Sequence, residues 1–140
     1  KVSYDADHKK YNDAFKAGDA EKAASAFSTH WGDGQVWEDL PQRSRDLMVE
    51  KIRMIKAGEP NVYGDSYGFS ETGRLSKIIV PVLLVEGAQS HTSVAKINSA
   101  LEKRLGRTSR VVIKGAGHMV PITNPIETAQ AISQFWNASR

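Results

Sequence analysis

The sequence contains no cysteine. Disulfides, thiolate nucleophiles, cysteine-ligated zinc and iron–sulfur clusters are therefore excluded from these residues. It has no long apolar run either. The longest, Ile78 to Val85, covers eight residues and is interrupted by Pro81, so no membrane span is expected. Charge of one sign is not in excess: 19 Lys and Arg against 16 Asp and Glu leave +3. That excess is spread along the chain, and no nucleic-acid or anionic-membrane partner is expected. The first residue is Lys1, with no basic and apolar leader behind it. A signal peptide is expected to be absent or removed, with a cytoplasmic location as the default. What is present is globular: 40% apolar and 25% charged residues in a chain of 140, a length suited to one domain.

The first third reads as helix. Asp5 to Lys16 is a short polar helix stopped near Gly18. Asp19 then caps a second helix, with Ala20, Ala23, Ala24, Phe27 and Trp31 at 3.6-residue spacing. Gly32-Asp33-Gly34 is a loop, and Trp37, Leu40 and Pro41 lead into a third helix. Met48, Ile52 and Ile55 form its stripe, and it is predicted to end at Gly58, before Pro60. Glu59 to Gly73 is rich in Gly, Ser, Asn, Asp and Tyr and reads as loop or irregular cap.

The character changes at Leu75. Ile78 to Glu86 is nearly continuous β-branched and leucine sequence, as in a parallel strand buried on both faces. Gly87 ends it. Ser93 to Leu105 follows as a helix, with Val94, Ile97, Leu101 and Leu105 on one face and Gly106 closing it. A second strand, Arg110 to Lys114, leads into the turn Gly115-Ala116-Gly117-His118. Asn124-Pro125-Ile126-Glu127 opens a last helix as N-cap, first-turn proline and capping-box glutamate, with Ala129, Ile132 and Trp136 as its apolar positions. The order is β-α-β-α, the unit of a doubly wound sheet. Two strands cannot complete such a sheet, so its remainder is expected on sequence outside this chain.

His118 is the most informative residue. Reacting groups in open α/β sheets collect at the carboxyl ends of the strands, and His118 directly follows one. An imidazole there suits a general base acting on a nucleophile at the same edge; a loop histidine satisfied by backbone is the plainer reading. The segment from Leu75 to Trp136 resembles the closing part of the α/β-hydrolase fold. The motifs that carry the resemblance are Val80-Pro81-Val82-Leu83-Leu84-Val85-Glu86-Gly87, then Val111-Val112-Ile113-Lys114-Gly115-Ala116-Gly117-His118-Met119-Val120-Pro121, then Asn124-Pro125-Ile126-Glu127. Residues 1–74 are similar to the helical cap of that family. The resemblance implies the C-terminal portion of an α/β-hydrolase fold: a cap over 1–74, and over 75–140 the last two parallel strands with flanking helices.

It further implies a serine hydrolase, first of all an esterase, with His118 as the base that takes the serine proton and returns it to the leaving group. The implied partners are the N-terminal part of the same hydrolase and a small ester; no cofactor and no metal are implied. Ser90, His91 and Met119 would line the rim of the site, and Trp31 of the cap would wall an acyl pocket. Carbon–carbon bond, epoxide and haloalkane hydrolases share the scaffold.

Two positions depart from the family pattern. Its acid commonly sits three residues after the glycine closing the next-to-last strand, and here Gly87-Ala88-Gln89-Ser90 puts Ser90 in that slot. Glu86 is an alternative acid or a solvated edge charge. The family nucleophile lies in Gly-x-Ser-x-Gly between a buried strand and a helix. Gly64-Asp65-Ser66-Tyr67-Gly68 has the letters without the context, since no buried strand precedes it and no helical stripe follows. The nucleophile is therefore expected elsewhere, and this chain alone should be inactive. The rival reading is a non-catalytic binding or structural module, with Ser90 marking lost catalysis. Zinc lacks a third spaced ligand, and Gly115-Ala116-Gly117 lacks the later glycine of a dinucleotide fingerprint.

Overall fold

The computed structural model describes residues 6–32 and 35–139. The expected helix start at Asp5 and the expected loop residues Asp33 and Gly34 lie outside them. The described chain is a mixed α/β structure, mostly helical, with two parallel strands in an incomplete sheet. Its contacts divide it into two compact units, one ending at Tyr67 and the other starting at Gly68.

The N-terminal unit holds α1 (Ala6–Lys16), α2 (Ala20–Trp31) and α3 (Gln42–Gly64). Gly18, at φ 75°, turns the chain out of α1, a conformation that glycine adopts without strain. The Asp19 carboxylate then caps α2 by accepting the Lys22 N–H at 3.0 Å. Ala23 and Ala24 are fully buried, and their small side chains let α2 approach its neighbours closely. They form a core with Tyr11, Ala14, Trp37 and Ile52, onto which Phe15, Phe27, Leu40 and Val49 pack. Of the expected α3 stripe, Ile52 is in this core, whereas Met48 and Ile55 are each 39% exposed.

Helix α3 runs through both Gly58 and Pro60, beyond the end predicted at Gly58. Pro60 lies one turn before the end of the helix, where its missing N–H and the crowding of its ring against the preceding turn affect a short C-terminal stretch. Beside the proline, Lys56 pairs with Glu59 one turn on and donates to Asn12 Oδ1 of α1 at 2.6 Å. The helix stops at Asp65, which adopts the left-handed conformation at φ 47°, ψ 45°.

The C-terminal unit is built on β1 (Val82–Gly87) and β2 (Thr108–Ile113), joined by α4 (Thr92–Glu102). The strands are parallel, with Val82 opposite Thr108 and Gly87 opposite Ile113. Strand β1 starts after Pro81, not at Ile78, because proline brings no N–H to the ladder and the first cross-strand bond is Val82 N–H to Arg107 O at 2.8 Å. Ile79 is left 79% exposed. Burial of β1 on both faces does not develop with one partner strand: Val82 to Val85 are half-buried, and only Glu86 and Gly87 are buried.

Alternation sends Glu86 and Arg110 to one face, where they meet Asn98, Ser99 and Glu102 of α4. The other face carries Val85, Val111 and Ile113, packed with Ala116 and Val120. There the chain forms the short helix α5 (Val120–Thr123) and then α6 (Pro125–Ala138), which contacts both strands. Asn124 precedes α6 as expected, but its side chain makes no capping bond; its Oδ1 accepts from the Thr123 hydroxyl at 3.0 Å. Thr128 closes the junction instead, donating to the Asn124 and Val120 carbonyls. Thr128 and Ala131 are the buried residues of α6, while Ile132 and Trp136 of the expected stripe are 51% and 59% exposed. The 70–71 backbone is bound into this unit through Arg104, whose guanidinium donates to the Ser70 and Glu71 carbonyls. The sequence-based division at 74/75 rests on the onset of strand composition, a different criterion from these contacts.

Candidate functional site

Both strands discharge into loops at their carboxyl edge, and the two loops are bonded to each other. After Gly87 the chain turns, with the Ser90 N–H donating to Gly87 O at 3.1 Å. The Ala88 N–H donates to Ile113 O at 2.9 Å, which continues the ladder. The Gln89 N–H donates to Ala116 O at 2.8 Å, which fastens the first loop to the second. Gly115 adopts φ 77°, so the chain reverses sharply after β2. Ala116 then drops into the core beside Ile113 and Val120. His118 follows two residues later and is exposed.

Four of the sequence-derived candidates, Ser90, His91, His118 and Met119, lie on these two loops. Trp31 lies in the N-terminal unit, where its ring stands edge-on to His30 at a centroid distance of 4.6 Å. The Ser90 hydroxyl oxygen is buried and has no hydrogen-bond partner among the described residues. His91 holds a structural position: its Nδ1 accepts the Ser93 N–H at 3.3 Å and lies 2.8 Å from Ser93 Oγ. His91 is thus the N-cap of α4. Sequence reasoning missed that role, because imidazole is not among the favoured capping groups; the signal was its place just ahead of the periodic run.

Glu86 is 5% exposed and so is not a solvated edge charge. Its Oε1 accepts from Arg110 and its Oε2 from Asn98 Nδ2. Arg110 also donates to Glu102 at 2.9 Å and to Ser99 Oγ at 2.8 Å. Hydrogen bonds from Glu86 first and Glu102 second push the Arg110 pKa up, against a smaller desolvation effect. The cluster ties β1, β2 and α4 together beneath the carboxyl edge and leaves neither Glu86 oxygen vacant.

Ser66 sits in the turn that follows α3, and its hydroxyl reaches Pro60 O at 3.4 Å. A helix leads into this pentapeptide where a nucleophile turn needs a strand. The N-terminal unit has its own titratable cluster. The Lys56 ammonium lies 5.4 Å from the centroid of the buried Tyr11 ring, and burial first and Glu59 second push the Tyr11 phenol far above its ordinary range.

Among the described residues no set of three or more His, Asp or Glu side chains is placed to hold a metal ion. No helix among them is long and apolar enough to cross a membrane. No family model, no curated protein and no solved structure matches the chain.

Proposed function

We propose that this chain is the C-terminal part of an α/β-fold serine hydrolase, a helical cap followed by the last two strands, and that it supplies the catalytic histidine. The observation that carries the reading is the position of His118: exposed, on the loop leaving the carboxyl end of β2, in a parallel β-α-β unit with helices on both faces. A two-strand sheet with exposed apolar residues just before β1 (Ile79, Val80) and on β2 (Val112) supports a source of further strands outside these residues.

In this reaction His118 accepts the proton of a serine supplied by the N-terminal part as the serine oxygen attacks an ester carbonyl. The alcohol leaves with that proton, and an acyl-enzyme remains. Water then loses a proton to His118 while attacking the acyl carbon, and the serine recovers the proton as the acid departs. The oxyanion donors and the orienting acid belong with the nucleophile, since Ser90 fills the slot where a carboxylate would stand.

The test is purification with native partners, followed by labelling with a fluorophosphonate and by ester hydrolysis with His118→Ala. A labelled companion polypeptide, and loss of about 10^4-fold or more in turnover in the variant, are expected. Absence of a companion and of any labelling, or unchanged hydrolysis in His118→Ala, overturns the proposal and leaves a non-catalytic module of the same fold.

A further inference from the structure

We infer that Gly87 is the positioning residue for His118: the bare Cα at the end of β1 is the surface against which the His118 loop is seated. The inference rests on the reading of His118 as the base. Its geometry stands independently.

A Cβ built on Gly87 would lie 2.1 Å from Gly117 O, 2.3 Å from Ala116 O and 2.6 Å from the Ala116 carbonyl carbon. All three are backbone atoms, so no side-chain rotation relieves the overlap, and side-chain Cβ atoms essentially never come within 3.0 Å of a non-bonded atom beyond their chain neighbours. The loop cannot retreat inward either. Ala116 is 1% exposed and packs with Ile113 and Val120, with Val85 and Val111 against the same cluster, in an interior where even a methyl group needs prepared space. On the near side the Gln89 N–H holds Ala116 O at 2.8 Å. The loop is therefore clamped between the core and the end of β1, and Gly117, whose carbonyl bears on Gly87, is the residue directly before His118.

Other glycines of the same unit show that this requirement is local. Gly106, in the turn between α4 and β2, has nothing within 4 Å of its Cβ position. Gly115 also has open space there, and its constraint is conformational, φ 77°. A methyl group at 87 must push residues 116–117 outward and carry the imidazole with them. A displacement of this size is enough to take a base out of line with its nucleophile, for which a misplacement of about 1 Å costs on the order of 100-fold in rate.

The experiment compares Gly87→Ala with Gly106→Ala in the full chain by NMR, following the amides of Gly117 and His118 and the His118 ring protons. Gly87→Ala should move these signals while leaving Val82 and Thr108, at the far end of the strands, in place; Gly106→Ala should move none of them. In the reconstituted hydrolase Gly87→Ala should lower kcat about 100-fold and leave KM within about a factor of two, a split that general destabilisation does not produce. Unmoved Gly117 and His118 signals in folded Gly87→Ala overturn the inference. So does unprotected hydrogen exchange at the Gln89 amide of the unaltered protein, a measurement that decides the matter even where Gly87→Ala does not fold. If His118→Ala retains hydrolysis, the catalytic reading falls while the seating of the loop, read from the signals alone, stands.

Discussion

Glu86 is buried to 5% exposure, and a carboxylate so far from water persists as an anion only with a cation and further donors around it. Arg110 and Asn98 supply them. Removing the cation alone is therefore worse than removing the pair. Arg110→Met should lower the urea midpoint of the C-terminal unit more than Glu86→Gln does, because it leaves the charge behind. The double variant Glu86→Leu with Arg110→Met should recover most of the loss, and equal midpoints for Arg110→Met and the double variant would refute the pairing. Tyr11 makes the corresponding argument for pH. Its phenol is held protonated by burial and by Glu59, whereas an unfolded tyrosine ionises near pH 10. Above that pH the unfolded state binds fewer protons than the native state, so stability falls as pH rises. Chemical denaturation at about pH 9 and about pH 11 should show a drop in the N-terminal unit that Tyr11→Phe removes.

Elements were legible where their signals are local. Gly18 and Asp19 mark the α1–α2 junction, and the structure uses both. The alternation from strand to helix to strand is as readable, and Gly87 and Gly115 fall where the chain must turn. What escaped reading depends on residues distant in sequence. Helix α3 passes Gly58 and Pro60, and it is tied to α1 where Lys56 reaches Asn12, 44 residues away. Glu86 is structural because the parallel register places Leu84 beside Arg110, two residues short of Glu86. Thr128 took over the junction before α6 because α5 runs straight into it and turns the Asn124 side chain to Thr123. The site divides in the same way. The place of His118 on the loop after β2 follows from its strand and its glycines, whereas the capping role of His91 needs the true start of α4. Packing at the element scale concentrates on Ile52, a large side chain of α3 that is 1% exposed. Ile52→Ala should cost about 3 kcal/mol in the N-terminal unit. Met54, two residues along the helix and outside the expected stripe, is 69% exposed and should change stability by less than about 0.5 kcal/mol when replaced by alanine. Paired denaturation curves of the two variants check the contrast.

For the whole molecule, the informative surface is apolar. Single exposed hydrophobics are ordinary, but a contiguous group of them is not. On α6 the sheet takes Thr128 and Ala131, and helical spacing then sets Ile132, Trp136, Ala129 and Ile126 side by side on the adjoining flank, where all four are exposed. That flank is patterned for burial, yet Ile126, Ile132 and Trp136 are each more than half exposed. The C-terminal unit should therefore bind an apolar dye and self-associate with rising concentration. Replacing Ile132 and Trp136 by lysine should reduce dye binding and association together, while moving the unfolding midpoint little, because exposed positions usually contribute within about 0.5 kcal/mol each. Light scattering and dye titration on the two proteins measure both quantities. Dye binding that is unchanged by the substitutions would place the sticky surface elsewhere, with the open edge of β1 the next region to alter. A large loss of stability would instead mean that the two side chains contribute to packing within the unit.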